Sequence, residues 1–268
     1  MRGVSLPMYD FPQVRESTTR ILNLLVETLC GAGEDVEVVF PENTAHHNLI
    51  EHWESPDTYL SQSCGLPFVE HLYEYVDVIG TLGWKGVSDE RGWYRTVIVA
   101  REALGIADIA DVAGLRPAIS NPYSLSGWCS LGWALAQVSS EPHFVEPYRV
   151  GGGHRGSLQL LQAHEADFAS IDPGTFQLLS RHEPELVQGL TLIGYGPMVP
   201  ATPFHIAKRN RRIDIDRVQQ LVFETFASPQ LADARRDIGI SGFVPIGNQP
   251  YLEAIPPLVA IAQQRLPR

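Results

Sequence analysis

The residues in this 268-residue chain best suited to chemistry lie in Ser120-Asn121-Pro122-Tyr123-Ser124-Leu125-Ser126-Gly127, which runs into apolar residues at helical spacing, Trp128, Leu131, Leu135 and Val138. Asn121-Pro122 favours a turn, and Ser124 and Ser126 put hydroxyls where a helix begins. The first turn of a helix carries unpaired N–H groups and about half a unit of positive charge, so it can hold an oxyanion with no Lys or Arg of its own. Gly127 would let the backbone come close to such a ligand. A Ser before Gly and an apolar run is also what an ordinary N-cap looks like, so the segment needs support from elsewhere.

A second group is Gly151-Gly152-Gly153-His154-Arg155-Gly156-Ser157, with Asp172 about 20 positions after Gly151. Gly151, Gly153 and Gly156 match a dinucleotide-binding fingerprint, but Glu146 to Val150 is short and polar where a buried central strand should stand. Ser126, His154 and Asp172 can be drawn as a hydrolase triad, yet Ser126 lacks the G-x-S-x-G elbow that exposes such a nucleophile. A third reading takes Tyr9, Ser61, Gln62, Ser63, Thr96, Ser124, Ser126, Gly127, His154 and Asp172 as one ligand-binding set. Each of these residues follows an expected strand or opens an expected helix. His154 would donate to an oxyanion, and Asp172 would accept from a protonated ligand oxygen or orient the imidazole.

Stepping outward, the elements that must position them alternate as strand and helix. Val4, Leu6 and Met8 alternate as a strand ending at Tyr9-Asp10-Phe11-Pro12, and Val14 to Leu29 has helical spacing. Val36 to Phe40 is a second strand, so the opening predicts a parallel pair with a helical crossover and puts Tyr9 at a carboxyl end. Strands are expected around Tyr59, at Val76 to Gly80, Thr96 to Ala100, Pro117 to Ile119, Leu190 to Gly194 and Phe204 to Ala207. Gly83 to Gly92 is expected as a loop, the stretch with Pro197, Pro200 and Pro203 as a linker, and Asp108 to Leu115 as helical. Further helices are predicted after His154 and at Asp214 to Phe226, Gln230 to Ile238 and Tyr251 to Gln264.

Composition narrows the partners. A formal charge of −11 disfavours nucleic acid and anionic membrane surfaces, and Lys208-Arg209-Asn210-Arg211-Arg212 is short enough to be a solvated face. No apolar run is long enough for a membrane span, which predicts no membrane insertion, and as written the start shows no leader, which predicts a cytoplasmic chain unless a leader has been trimmed. Cys30, Cys64 and Cys129 suit neither a zinc site nor a disulfide framework, and His46, His47 and His52 lack carboxylates at helpful offsets. Neither a metal nor a cofactor is expected.

Taken in order, the motifs resemble those of the phosphate, phosphite and phosphonate substrate-binding components of ABC importers. The resemblance rests on Leu6-Pro7-Met8-Tyr9-Asp10, Ser61-Gln62-Ser63-Cys64-Gly65-Leu66-Pro67, Tyr94-Arg95-Thr96, Asn121 to Gly127, Gly153 to Leu158, Ala166 to Asp172 and Thr202-Pro203-Phe204. It implies an α/β, two-lobed type II periplasmic binding protein fold with a ligand cleft between lobes. Residues 1–93 plus 197–268 would form one lobe and 94–196 the other. It also implies a non-catalytic protein that closes on a small oxyanion and works with a transporter permease. Ser124, Ser126 and Gly127 would match the anion-binding helix start, His154 the ligand-facing His, and Ser61, Gln62 and Ser63 the contacts from the first lobe. Where members that bind aminoalkylphosphonates are expected to carry acids, this chain has Gly174 and Thr202. The alternative is a cytoplasmic enzyme or sensor of the same fold acting on a small organic acid.

Overall fold

The computed structural model describes residues 1–41, 46–141, 143–209 and 211–268, with the side chains of 46–48 outside that description. In chain order the elements are β1 (Arg2–Val4), α1 (Arg15–Gly31), β2 (Val36–Val38), α2 (His46–Glu54), β3 (Thr58–Gln62), α3 (Gly65–Pro67), β4 (Val76–Trp84), β5 (Trp93–Arg101) and β6 (Pro117–Ile119). There follow α4 (Ser130–Val138), β7 (Arg149–Val150), α5 (His154–Gln162), β8 (Phe168–Ile171), α6 (Pro173–His182), β9 (Leu190–Pro200), β10 (Pro203–Ala207), α7 (Ile215–Ala227), α8 (Ala232–Ile238), β11 (Ile240–Val244) and α9 (Gln249–Arg265). They group into two compact units, Met1–Trp93 with Pro200–Leu252, and Tyr94–Val199 with Glu253–Arg268.

Unit 1 holds a six-stranded sheet in the order β11-β4-β10-β3-β1-β2. β1 pairs parallel with β2 and β3, while β10 runs antiparallel to both β3 and β4. The carboxyl ends of β1, β3 and β4 therefore share one edge with the amino end of β10. The helix α1 forms because Ile21, Leu22, Leu25 and Leu29 make one apolar stripe, and all four are buried. Unit 2 holds a five-stranded sheet in the order β7-β6-β8-β5-β9, with β6 parallel to β7 and β8, and β5 antiparallel to β8. Here the carboxyl ends of β6, β7 and β8 share one edge, and each feeds a helix start.

Several local expectations change. β1 stops at Val4, and Pro7–Tyr9 is a 3₁₀ turn, because proline brings a fixed φ and no N–H to the ladder. β4 continues through Gly83 to Trp84, paired with β11. The stretch Asp108 to Leu115 shrinks to one 3₁₀ turn, Ile109–Asp111, capped by Asp108 and followed by Gly114 at φ +70°. β9 runs on through Pro197 to Pro200, which an edge strand permits because its outer side needs no donors.

The division of the chain also differs at its end: the turn to unit 1 comes at Pro200, and residues 253–268 pack with unit 2, not with residues 1–93. The reason is a close approach of α9 to α4. A Cβ at Gly132 would stand 2.7 Å from Ala262 Cα and 2.8 Å from Ala262 Cβ, so only glycine lets the two backbones meet. Of the basic cluster, Asn210 lies outside the described residues. Its neighbours have structural partners: Arg211 pairs with Asp77 at 3.1 Å, and the Arg212 amide donates to Glu34, whose buried carboxylate also pairs with Arg2 at 2.7 Å.

Candidate functional site

In unit 2 the parallel ladder gathers the sequence's anion candidates at one sheet edge. β6 leads into the segment from Ser120 to Gly127, β7 into His154 at the first turn of α5, and β8 into Asp172 at the N-cap of α6. The segment after β6 does not enter an α-helix directly. Leu125–Cys129 forms a π-type turn before α4, with Ser124 as its cap. Ser124 Oγ accepts from the Gly127 amide at 2.9 Å, which leaves the Ser124 hydroxyl proton available for another partner. Ser124 Oγ lies 3.5 Å from Ser126 Oγ, and Ser126 Oγ lies 2.7 Å from His154 Nε2. Both serines are almost fully buried. Burial holds the His154 pKa below the ordinary histidine value, with the Asp172 carboxylate opposing it, so the ring is neutral at pH 7. His154 Nδ1 is buried and has no hydrogen-bond partner among the described residues.

A layer of hydroxyls supports this turn. Ser170 Oγ donates to the Ser126 carbonyl at 2.7 Å and lies 3.0 Å from Thr96 Oγ1. Thr96 is fully buried and lies under Gly196, where a Cβ would come within 2.2 Å of its hydroxyl. Thr96 therefore braces the turn through Ser170. Gly127 has a similar internal reason: a Cβ there would meet Ser120 Oγ at 2.1 Å. Its amide is already engaged by Ser124, so the turn's hydroxyls are better placed as donors than the Gly127 N–H. Asp172 Oδ1 accepts from Thr175 N at 2.8 Å and caps α6. Since His154 Nδ1 lacks a carboxylate partner, Ser126, His154 and Asp172 do not form the hydrogen-bonded relay of a hydrolase triad. The glycine fingerprint has a packing cause as well. β7 is a two-residue exposed edge strand, and a Cβ at Gly156 would stand 1.9 Å from the Gly151 carbonyl.

Unit 1 presents a different set at its own sheet edge. Gln62 Nε2 donates to Thr202 Oγ1 at 2.9 Å, and Thr202 Oγ1 lies 3.4 Å from the Tyr9 hydroxyl. Thr81 Oγ1 donates to the Thr202 carbonyl at 2.9 Å, and the Tyr9 ring packs on Trp84 with centroids 4.4 Å apart. The Ser63 amide donates to the Pro203 carbonyl at 3.1 Å, while its buried hydroxyl has no partner among the described residues. Ser61 points away from this group. It is fully buried and bonds Ser5 Oγ at 2.8 Å, and Ser5 in turn bonds His52 Nε2 at 2.8 Å. Across the ladder from Ser61 stands His205, buried against Trp53, with a pKa pushed down to about 3 by burial and by neighbouring His52.

A sequence profile described as "ABC transporter, phosphonate, periplasmic substrate-binding protein" matches residues 5–251. The chain belongs to that family. No curated protein matches the sequence. Among solved structures it is similar to a Prochlorococcus marinus PhnD1 in complex with methylphosphonate, at 13% identity, TM-score 0.81 and coverage of 98% of each chain. It is also similar to a binding-protein component of an ABC phosphonate transporter from Pseudomonas aeruginosa, at 15% identity and TM-score 0.76, covering 98% of this chain and 86% of that one. A Xanthomonas citri protein bound to ATP aligns at 12% identity and TM-score 0.73, over 98% of this chain and 97% of that one. These likenesses show the type II periplasmic binding protein fold.

For a phosphonate-family binding protein, the structure sorts the residues singled out from sequence into two groups and a remainder. Ser124, Ser126, Gly127, His154 and Asp172 meet at one edge in unit 2, and Tyr9, Gln62 and Ser63 at one edge in unit 1. Thr96 and Ser61 are buried beneath, bonded to Ser170 and Ser5. Sequence reasoning gave no role to Ser120 and Ser170, although both lie in motifs it singled out, and missed Thr81 altogether; a small hydroxyl inside a strand or at a strand end carries no local signal of its own. Among the described residues no three His, Cys, Asp or Glu side chains group as metal ligands, and no helix is long and apolar enough to cross a membrane. Of the His46, His47 and His52 cluster, the side chains of His46 and His47 lie outside the described residues.

Proposed function

We propose that this family member binds a small phosphorus oxyanion, namely phosphate, phosphite or a simple phosphonate, for an ABC-type importer, acting in the periplasm with a transporter permease as partner. The observation that carries the ligand class is the continuous run from Ser124 Oγ to Ser126 Oγ to His154 Nε2 at 3.5 and 2.7 Å, set at a capped turn that leads into α4. Segment 120–138 contains no charged residue, so its hydroxyls and helix-start dipole would have to do the binding. In this reading Ser124 donates to a ligand oxygen, and the Ser126–His154 pair, which spends one proton on its own 2.7 Å bond, supplies one further donor, either the Ser126 hydroxyl or the His154 Nδ1–H. Asp172 discriminates a protonated ligand oxygen from a bare one. Tyr9, Gln62 and Ser63 are neutral, which suits a ligand without an ammonium group. Thr202 and Gly174, which carry no charge where acids were expected for amine recognition, point the same way.

The test is a calorimetric and thermal-shift panel of phosphate, phosphite, methylphosphonate, aminoethylphosphonate, sulfate and short carboxylates. A ligand at 100 times its dissociation constant adds about 2.7 kcal/mol of stability, a shift of a few degrees for a chain of this size. We expect one phosphorus oxyanion to stand out and aminoethylphosphonate to fall behind methylphosphonate. Preference for a carboxylate, or for the amine-bearing phosphonate, would overturn the ligand assignment.

A further inference from the structure

Segment 120–138 holds no cation in sequence, yet the fold brings one to it. The Arg268 guanidinium carbon lies 4.2 Å from the Trp128 ring centroid and 5.4 Å from that of Tyr123, within the range for cation–π contact. Trp128 is fully buried and follows Gly127 in the π-type turn, while Tyr123 precedes Ser124. The same stretch of chain is fastened twice more: Trp128 Nε1 donates to the Leu266 carbonyl at 2.8 Å, and the Tyr148 hydroxyl donates to the Pro267 carbonyl at 3.0 Å. Gly132 against Ala262 seats the helix that delivers these residues.

We propose that Arg268 is a positioning residue of the oxyanion cradle: stacked on Trp128 and Tyr123, which lie beyond either end of the Ser124–Gly127 turn, it holds that turn's hydroxyls in register and brings positive charge to an otherwise uncharged segment. This inference rests on the reading of Ser124 and Ser126 as oxyanion donors. The guanidinium acts through the two rings and need not touch the ligand. A flat, delocalised cation suits stacking on an indole, and a cation of any shape on the same rings retains part of the effect.

The experiment is isothermal titration with methylphosphonate, and with phosphate and phosphite if methylphosphonate is silent, on the full chain, its Arg268→Gln variant and its Arg268→Lys variant, with urea unfolding of each as the stability control. Arg268→Gln is expected to weaken binding by about fivefold to tenfold with little change in unfolding midpoint, and Arg268→Lys to recover most of that loss. Affinity of Arg268→Gln within twofold of the parent overturns the proposal. So does equal weakening in the Gln and Lys variants, which would assign the effect to packing and not to the cation. If the parent chain binds none of the three oxyanions, the cradle reading itself fails and the role of Arg268 falls with it, an outcome distinct from an unaffected Arg268→Gln variant.

Discussion

The two sheet edges carry polar sets of similar size and opposite character. In unit 2, Ser124, Ser126 and His154 form an open-ended run: Ser124 accepts from a backbone amide, so its own proton is available, and His154 Nδ1 is left without a partner among the described residues. In unit 1, Gln62 donates to Thr202, Thr202 lies near Tyr9 and Thr81 closes on the Thr202 carbonyl, so these donors answer one another and only the Ser63 hydroxyl of that set is left without a partner among the described residues. Buried donors with no partner are costly unless a ligand completes them, whereas a self-satisfied network mainly stabilises its own fold.

The largest expected effect tests the unit 2 half. His154→Ala and Ser126→Ala should each weaken oxyanion affinity by about 1.5 to 3 kcal/mol, the usual cost of losing a hydrogen bond to a charged group. Because the two side chains bond each other at 2.7 Å, the double variant should lose less than the sum, and calorimetry on the four proteins measures the shortfall. Full additivity with each loss below about 0.5 kcal/mol would erase the contrast between the edges.

The next effect concerns His205 in unit 1, and its readout is stability. Its pKa is about 3 in the folded state against an ordinary value of 6.5, so between those pH values the unfolded chain binds the extra proton. Stability from this group is therefore complete above about pH 6.5 and is lost as pH falls toward 3, amounting to about 2 kcal/mol between pH 7.5 and 5. The lowered pKa of His52, also due to burial, adds in the same direction. Urea unfolding across that range should show the slope, and His205→Phe should flatten it. An equal slope in the variant would place the acid sensitivity elsewhere.

Smaller effects sharpen the comparison. Gln62→Ala should cost about 1 kcal/mol of stability by leaving Thr202 without its donor, with a loss of oxyanion affinity below that of Ser126→Ala. A greater affinity loss from Gln62→Ala would reverse the roles assigned to the two edges. Least of all, raising salt from 50 to 500 mM should change affinity by less than about threefold, since an anion held by buried hydroxyls is poorly screened. A steep salt dependence would instead implicate surface cations such as Arg209.

Much of the scaffold is legible in sequence because it depends on neighbours along the chain. The stripe Ile21, Leu22, Leu25 and Leu29 makes α1, and Pro117 to Ile119 is a strand as expected. Ser124 and Ser126 announce a turn at a helix start, although the cap is Ser124, which accepts from the amide three residues on, and not the Ser126 that precedes Gly127; the cap at Asp172 and the helix behind it were not expected. The site candidates were legible for the same reason, as polar residues directly after strands. What misled were local signs with a non-local cause. Gly127 reads as an approach point for a ligand but makes room for Ser120, and Thr96 reads as a strand-end contact but lies sealed under Gly196. Proline at 197 and 200 reads as a linker, yet β9 absorbs both because it is an edge.

Sequence by itself determined the alternation of strand and helix, the helix start in segment 120–127, the uncharged composition of segment 120–138 and the family to which the chain belongs, because each is set by residue type and short spacing. Only the tertiary structure decided that Ser126 meets His154, that Ser170 holds the Ser126 carbonyl, that Gln62 answers Thr202 and that Arg268 comes to rest on Trp128. Those pairings join residues 28 to 140 positions apart, and the order of strands in a sheet and the docking of one helix on another are written in no local pattern.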